Sequence, residues 1–281
     1  MDLETLRELP PWEWPENAGE LLLATLRDGA AAAEDRLLAA QLGGDLTVIN
    51  DALATELLAI VGAGAEPERL RAKAAIALGP VLEQTDTDGF DDPVFEGDLP
   101  PITEGMFTAI QLRLRELYQD GGVPKLVRRR ILEASVRAPE NWHKGAIREA
   151  YAGDDEEWKL TAVFGMNYIK GFDKEILESL RSKNKDIHFH AVEAAGAWEL
   201  DKAWEHVVDL VESPKTDKRL LIAAIGAVGA IRPNDAWEVL EHLEDSADED
   251  IVEAVKDATI VREGYLDDED EDEEDELGWV Q

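Results

Sequence analysis

Leu70-Arg71-Ala72-Lys73-Ala74-Ala75-Ile76-Ala77-Leu78-Gly79 reads as apolar, Arg, two variable positions, Ala, two variable positions, Ala, Leu, Gly. Ile187-His188-Phe189-His190-Ala191-Val192-Glu193-Ala194-Ala195-Gly196 follows the same scheme. Residues 127–136, 158–167, 220–229 and 251–260 follow it more loosely. From residue 127 onward the first slots are 127, 158, 187, 220 and 251, so one period is about 30 residues. That length accommodates two short helices, and a self-similar period of this size marks stacked helix pairs. Small residues at Ala74, Ala77, Ala191, Ala194, Ala224 and Ala227 let neighbouring helices approach, and large apolar residues fill the remaining space. One such pair cannot bury its apolar face alone and must stack on its neighbours.

The first helix of each pair is predicted over 103–118, 141–151, 173–180, 201–211 and 234–243. Asp45–Val61 pairs with Glu68–Leu82, and Glu20–Leu42 reads as a degenerate first unit, giving about seven pairs. Glu157, Asp186 and Asp250 precede or flank the apolar slots and are expected to cap helix starts. Trp158, Trp198, Trp204 and Trp237 fall at apolar helix slots and are expected in the core.

The pattern resembles the HEAT-repeat family, and its short period is most similar to the bacterial HEAT-like repeats also found in phycobilisome lyases. The resemblance covers residues 20 to about 262. It implies an all-α fold, an α-α superhelix built as a right-handed solenoid whose second helices line a concave face. It implies no single function, because such solenoids serve as scaffolds, adaptors, nucleic-acid binders and a few enzymes.

Three segments interrupt the repeat, so the expected organisation is an N-terminal cap over 1–19, a solenoid over 20–264 and an acidic tail over 265–281. Pro10-Pro11-Trp12-Glu13-Trp14-Pro15 is too rich in proline for a helix interior, and its two Trp residues are expected to cover the first repeat. Residues 83–101 hold seven acids and no base and read as an inserted loop. Asp86-Thr87-Asp88-Gly89-Phe90-Asp91-Asp92 departs from an EF-hand, with glycine at position four and Gly97 where a bidentate Glu is needed. Ten consecutive acids over 267–276 repel one another and are expected to be disordered, ending in an apolar tip at Trp279 that suits a docking anchor.

Composition excludes several classes. With 63 acids against 28 Lys and Arg, the net charge is −35, which opposes binding to nucleic acid or anionic lipid. No cysteine is present, which removes disulfides, thiolate metal sites and cysteine nucleophiles. No apolar run reaches the roughly 18–20 residues of a membrane helix. Met1-Asp2-Leu3-Glu4 lacks the basic start of a signal peptide, so a cytoplasmic protein, monomeric and without membrane attachment, is expected. No HExxH, Walker A or GxSxG motif occurs, so neither enzyme activity nor a cofactor is expected. His188 and His190 are two apart on a helix and point to different sides, so no metal is expected there.

One island runs against the charge. Residues 123–148 carry seven bases against two acids, a local balance of +5. Arg128, Arg129, Arg130 and Arg137, with Trp142 and His143 close behind and Trp279 in the tail, are the candidate partner-binding residues. The arginines suit carboxylate or phosphate contacts, and equally suit internal pairing with acids of adjacent repeats, including the insert. Three functions stand: a non-catalytic scaffold or adaptor receiving a protein partner on the concave face, an acidic mimic or chaperone shielding a basic partner, and a lyase-like chromophore handler. A nucleic-acid partner is disfavoured.

Overall fold

The computed structural model describes residues 2–90 and 100–259. They are all-α, with no strand among the described residues. The helices are α1 (Leu3–Glu8), α2 (Ala18–Arg27), α3 (Ala33–Leu42), α4 (Asp51–Gly62), α5 (Glu68–Ala77), α6 (Gly79–Asp88), α7 (Glu104–Gln119) and α8 (Lys125–Ser135). They continue with α9 (His143–Ala152), α10 (Glu156–Gly165), α11 (Asp173–Ser179), α12 (Lys185–Ala197), α13 (Trp204–Glu212), α14 (Lys218–Ile231) and α15 (Pro233–Leu240), and residues 249–259 are helical. Counted along the chain, these form seven successions of a first and a second helix. The acidic tail and Trp279 lie outside the described residues.

The chain forms two compact units, residues 1–146 and 147–281. In the first, α2, α4 and α7 pack on one another in turn, and α3, α5 and α8 make a parallel second row. In the second, α10, α12 and α14 make the row of second helices, with α11 on α12 and α13 on α14. Each row buries the apolar slots of the template. Leu53, Leu57, Leu78, Ile131 and Leu132 are sealed in the first unit, and Ala191, Ala194, Ala195, Ala224 and Val228 in the second.

The period is visible in the bonds that tie neighbours. Arg27 pairs with Glu56, Arg36 with Glu66, Arg219 with Asp186, Lys218 with Asp248 and Arg232 with Asp201, each about one repeat away in sequence. A residue therefore meets mainly the adjacent repeat, as a stack requires.

Several expectations need correction. The capping side chains are Asp155, Asn184 and Asp217, which accept from the second or third amides of α10, α12 and α14. Glu157 and Asp186 stand inside the first turn, where they face the helix dipole but cannot turn back to cap. The helix expected over 68–82 breaks at Leu78, because Pro80 has no amide to donate and is instead accommodated in the first turn of α6. α6 runs to Asp88, so the first six residues of the expected loop are helical, and Gln84 donates to Asp88 at 2.6 Å. Asp91 and Asp92 of the calcium-like stretch fall outside the described residues.

Trp158, Trp198, Trp204 and Trp237 are half-buried rather than core. The reason is visible at Trp198, whose indole N–H donates to the Met166 carbonyl at 2.6 Å while the Lys170 ammonium lies 4.9 Å from its ring centroid. A large ring with a polar handle settles at a boundary. At the N-terminus, α1 buries Leu3 and Leu6 and packs on α3. Trp14 donates to the Leu6 and Leu9 carbonyls at 2.8 and 3.2 Å, whereas Trp12 is 81% exposed.

Candidate functional site

The basic island holds residues that build the first unit beside others that stay at the surface, Lys125, Arg130 and Arg148 among them. Arg128 donates from Nε to the Tyr118 carbonyl at 2.7 Å, at the C-terminal end of α7, and its guanidinium lies 5.2 Å from the Tyr118 ring centroid. The same bond recurs twice at the same spacing of ten residues. Arg36 donates to the Leu26 carbonyl at the end of α2, and Arg71 donates to the Val61 carbonyl at the end of α4. The last carbonyls of a helix have no intrahelical donor and carry its negative dipole end, so a guanidinium there supplies both bond and countercharge. Arg128 is thus committed to structure.

Arg129 is 4% exposed and lies against buried Glu133 on its own helix. Arg137 pairs with Glu83 of α6, which joins the island to the acidic insert as internal pairing requires. Trp142 stacks at 5.1 Å from Tyr118 and donates to Glu140 at 2.7 Å.

His143 is fully buried at the start of α9. Its Nδ1 accepts from the Glu140 amide at 2.8 Å, so the ring proton sits on Nε2 and points at Ser135 Oγ, 3.0 Å away. A nucleophilic serine needs the reverse, an Nε2 lone pair to take its proton and an Nδ1–H held by a carboxylate. Burial first, then the Arg115 charge, pushes the His143 pKa down to about 4, so it stays neutral and structural at ordinary pH.

Arg130 is the island's residue that reaches a surface site. It pairs with Glu133 yet keeps 42% of its side chain exposed, and it lines an open groove of about 700 Å³ on the second-helix row of the first unit. The groove floor is aliphatic: Leu37 and Leu38 of α3, Ala72 and Ile76 of α5, and Leu126 of α8. Its rim carries Arg7, Arg69, Lys73 and Arg130 against Glu4 and Glu34. Arg69 and Glu34 are 3.9 Å apart and mostly exposed, and Lys73 donates to Gln41 at 3.2 Å. Loose exposed pairs of this kind contribute little to stability and exchange readily for an incoming charge.

Sequence reasoning named Arg130 but missed the rest of the groove. The signal was present, because 34, 37, 38, 41 and 69, 72, 73, 76 repeat one helical-face spacing. The charged run at 128–130 is the stronger signal, and it lies on a different helix from most of the groove floor. In the second unit, spacing alone hid another contact: His188 Nε2 lies 2.8 Å from His206 Nε2, across from α12 to α13. His190 turns away to Glu193 at 2.7 Å.

No family model matches the chain, and no curated protein matches it. Among solved structures it is similar to human deoxyhypusine hydroxylase in complex with glycerol, with 16% identity over 93% of this chain and 88% of that one and a TM-score of 0.40. It is also similar to an engineered protein, with 16% identity over 73% of this chain and 95% of that one and a TM-score of 0.42. Likenesses this distant transfer neither a site nor an activity. No helix among the described residues is long and apolar enough to cross a membrane.

Proposed function

We propose that the protein is a non-catalytic scaffold or adaptor whose second-helix face in the first unit receives a segment of a protein partner. One observation carries this reading: a largely half-buried aliphatic floor rimmed by four cations and two carboxylates, a local balance of +2 in a chain whose net charge is −35. Apolar floor area supplies affinity when water leaves it. The cations select the approaching segment, because the surrounding acidity repels every other acidic approach. The reading favours a segment with an apolar anchor between carboxylates.

The test is capture of partners from source cells by the full chain and by an Arg69→Glu, Lys73→Glu variant, each at low and high salt. Both residues are outward-facing, so the variant is expected to keep the wild-type circular dichroism spectrum and to lose the partner. Capture that is unchanged in the folded variant would overturn the groove reading. Salt-sensitive capture of basic proteins by both forms would instead support an acidic shield, and a coloured ligand travelling with the purified protein would support chromophore handling.

A further inference from the structure

The second unit carries a basic edge of its own. Segments 181–186 and 213–219, which span the starts of α12 and α14, hold six bases against two acids. The two segments adjoin, since Arg219 bonds Asp186 at 2.9 Å and Lys185 stands 3.8 Å from Asp217. Asp248 and Asp250 add two carboxylates beside Lys218, at 2.7 and 2.6 Å, so the edge keeps a surplus of two bases. Residues 147–259 as a whole carry 26 acids against 13 bases, so the edge stands out against its own unit. Arg181, Lys183, Lys185 and Lys215 are exposed, and the Arg219–Asp186 pair is more than half exposed on both sides. Pairs of that kind exchange readily for another carboxylate.

An apolar groove opens beside this edge. About 500 Å³ in volume, it is lined by Phe189 and Glu193 of α12 and by Lys218, Arg219, Ile222 and Ala223 of α14. Glu193 is bonded to His190 at 2.7 Å, which leaves Phe189, Ile222 and Ala223 as the floor. The Arg219 guanidinium lies 3.7 Å from the Phe189 ring centroid, so cation and aromatic ring meet at one end of the groove. Such a site suits an aromatic anchor flanked by carboxylates, because the ring supplies buried area and the bases fix the approach.

The chain itself carries such a segment. Asp267 to Glu276 are ten acids, followed by Leu277-Gly278-Trp279-Val280. The helix over 249–259 runs alongside α14, with Lys218 bonded to Asp248 and Asp250 at one end and Gly229 set against Ala258 at the other. From Gly229 back to Arg219 is ten residues, about 15 Å at the helical rise. Twenty residues separate Thr259 from Trp279, and a flexible chain of that length has its ends about 25 Å apart. We propose that residues 267–280 cover this face of the second unit intramolecularly, with Trp279 in the Phe189–Ile222 groove and the acids on the basic edge. Tethering raises the local concentration to the millimolar range, so a weak site is occupied. The acidity of the rest of the unit repels the tail, which makes the edge the place where it settles. A partner that needs this face must first displace the tail.

The absence of cysteine allows a single nitroxide to be attached to the full chain, at Gln281→Cys, with the isoleucine methyl groups isotopically enriched for NMR. At low salt the Ile222 methyl signal should lose at least half its intensity relative to the same sample with the nitroxide reduced. The loss should vanish in Trp279→Ala and in a Lys183→Glu, Lys215→Glu variant that keeps the wild-type circular dichroism spectrum. It should also shrink as salt is added, a series that requires no surface variant to fold. Equal Ile222 intensity in the oxidised and reduced forms would overturn the proposal, as would a loss that survives Trp279→Ala or the double reversal. Broadening in a mixture of enriched unlabelled chain with spin-labelled unenriched chain would assign the contact to a second copy and overturn the intramolecular site.

Discussion

The second residue of the repeat template does different work in the two units. In the first it is Arg71 or Arg128, with Arg36 as the counterpart in the degenerate repeat, and each guanidinium bonds the carbonyl at the end of the preceding first helix. In the second it is Lys159, His188 or Leu221. The Lys159 ammonium lies 4.8 Å from the Tyr151 ring centroid, and His188 meets His206. Helix pairs are therefore tied by a repeated polar bond in the first unit and by individual contacts in the second. A base at this slot signals structure before it signals binding, and that accounts for Arg128 of the basic island.

The largest expected effect comes from reversing two of those bases. Arg128→Glu with Arg129→Glu removes the Tyr118 bond and sets a second carboxylate beside buried Glu133. Leaving a buried charge uncompensated costs about 3–5 kcal/mol, so helicity and melting temperature should fall together. A double variant that melts like wild type would erase the contrast between the units and return these residues to the list of surface contacts.

His143 gives the next effect and sharpens the same point at the island's far end. Its folded pKa of about 4 lies below the 6.5 of the unfolded chain, so the unfolded state binds the proton first as pH falls. The stabilisation is complete above pH 6.5 and is lost as pH drops toward and through 4, a span of about 3 kcal/mol. Melting curves from pH 7.5 to 4 should fall more steeply for wild type than for His143→Gln, which cannot titrate. Parallel curves would show that this imidazole is not held neutral.

A smaller pair of changes compares the slot directly. Arg71→Leu leaves the Val61 carbonyl unbonded in a buried place and should cost about 1–3 kcal/mol. Lys159→Leu removes a cation–π contact at a half-exposed position and should cost about 0.5–1 kcal/mol. Equal losses by chemical denaturation would mean that the two units use the slot alike.

The fold was legible because small-residue periodicity is a packing signal, and packing alone decides how helix pairs stack. Ala74, Ala77, Ala191 and Ala194 read as contacts and are fully buried or nearly so. Capping was misread by two residues because Asp155 and Glu157 both offer carboxylates, and only backbone direction at the helix start separates them. The site was less legible, since a run of arginines has the same composition whether it faces a helix end or a groove. His188 and His206 were beyond reach, because their contact depends on how α13 lies against its neighbours and no spacing along the chain encodes it.

The template's closing glycine compares the two units once more. A Cβ on Gly79 would meet Arg137 side-chain atoms at 2.9 and 3.0 Å in the first unit, where a flexible chain can give way. On Gly196 it would meet the Ala227 backbone at 3.0 Å, and on Gly229 the Ala258 carbonyl oxygen at 2.6 Å, where a helix would have to move. Gly229→Ala should therefore cost the roughly 1–3 kcal/mol of an overpacked contact, Gly196→Ala less, and Gly79→Ala least. Gly226, three residues before Gly229 on the exposed face of α14, would meet nothing within 4 Å. With no contact to lose, Gly226→Ala keeps only the helix-propensity gain and should raise stability by about 0.5–1 kcal/mol. A destabilised Gly226→Ala, measured by urea titration beside Gly229→Ala, would show that this outer face of α14 is covered rather than open.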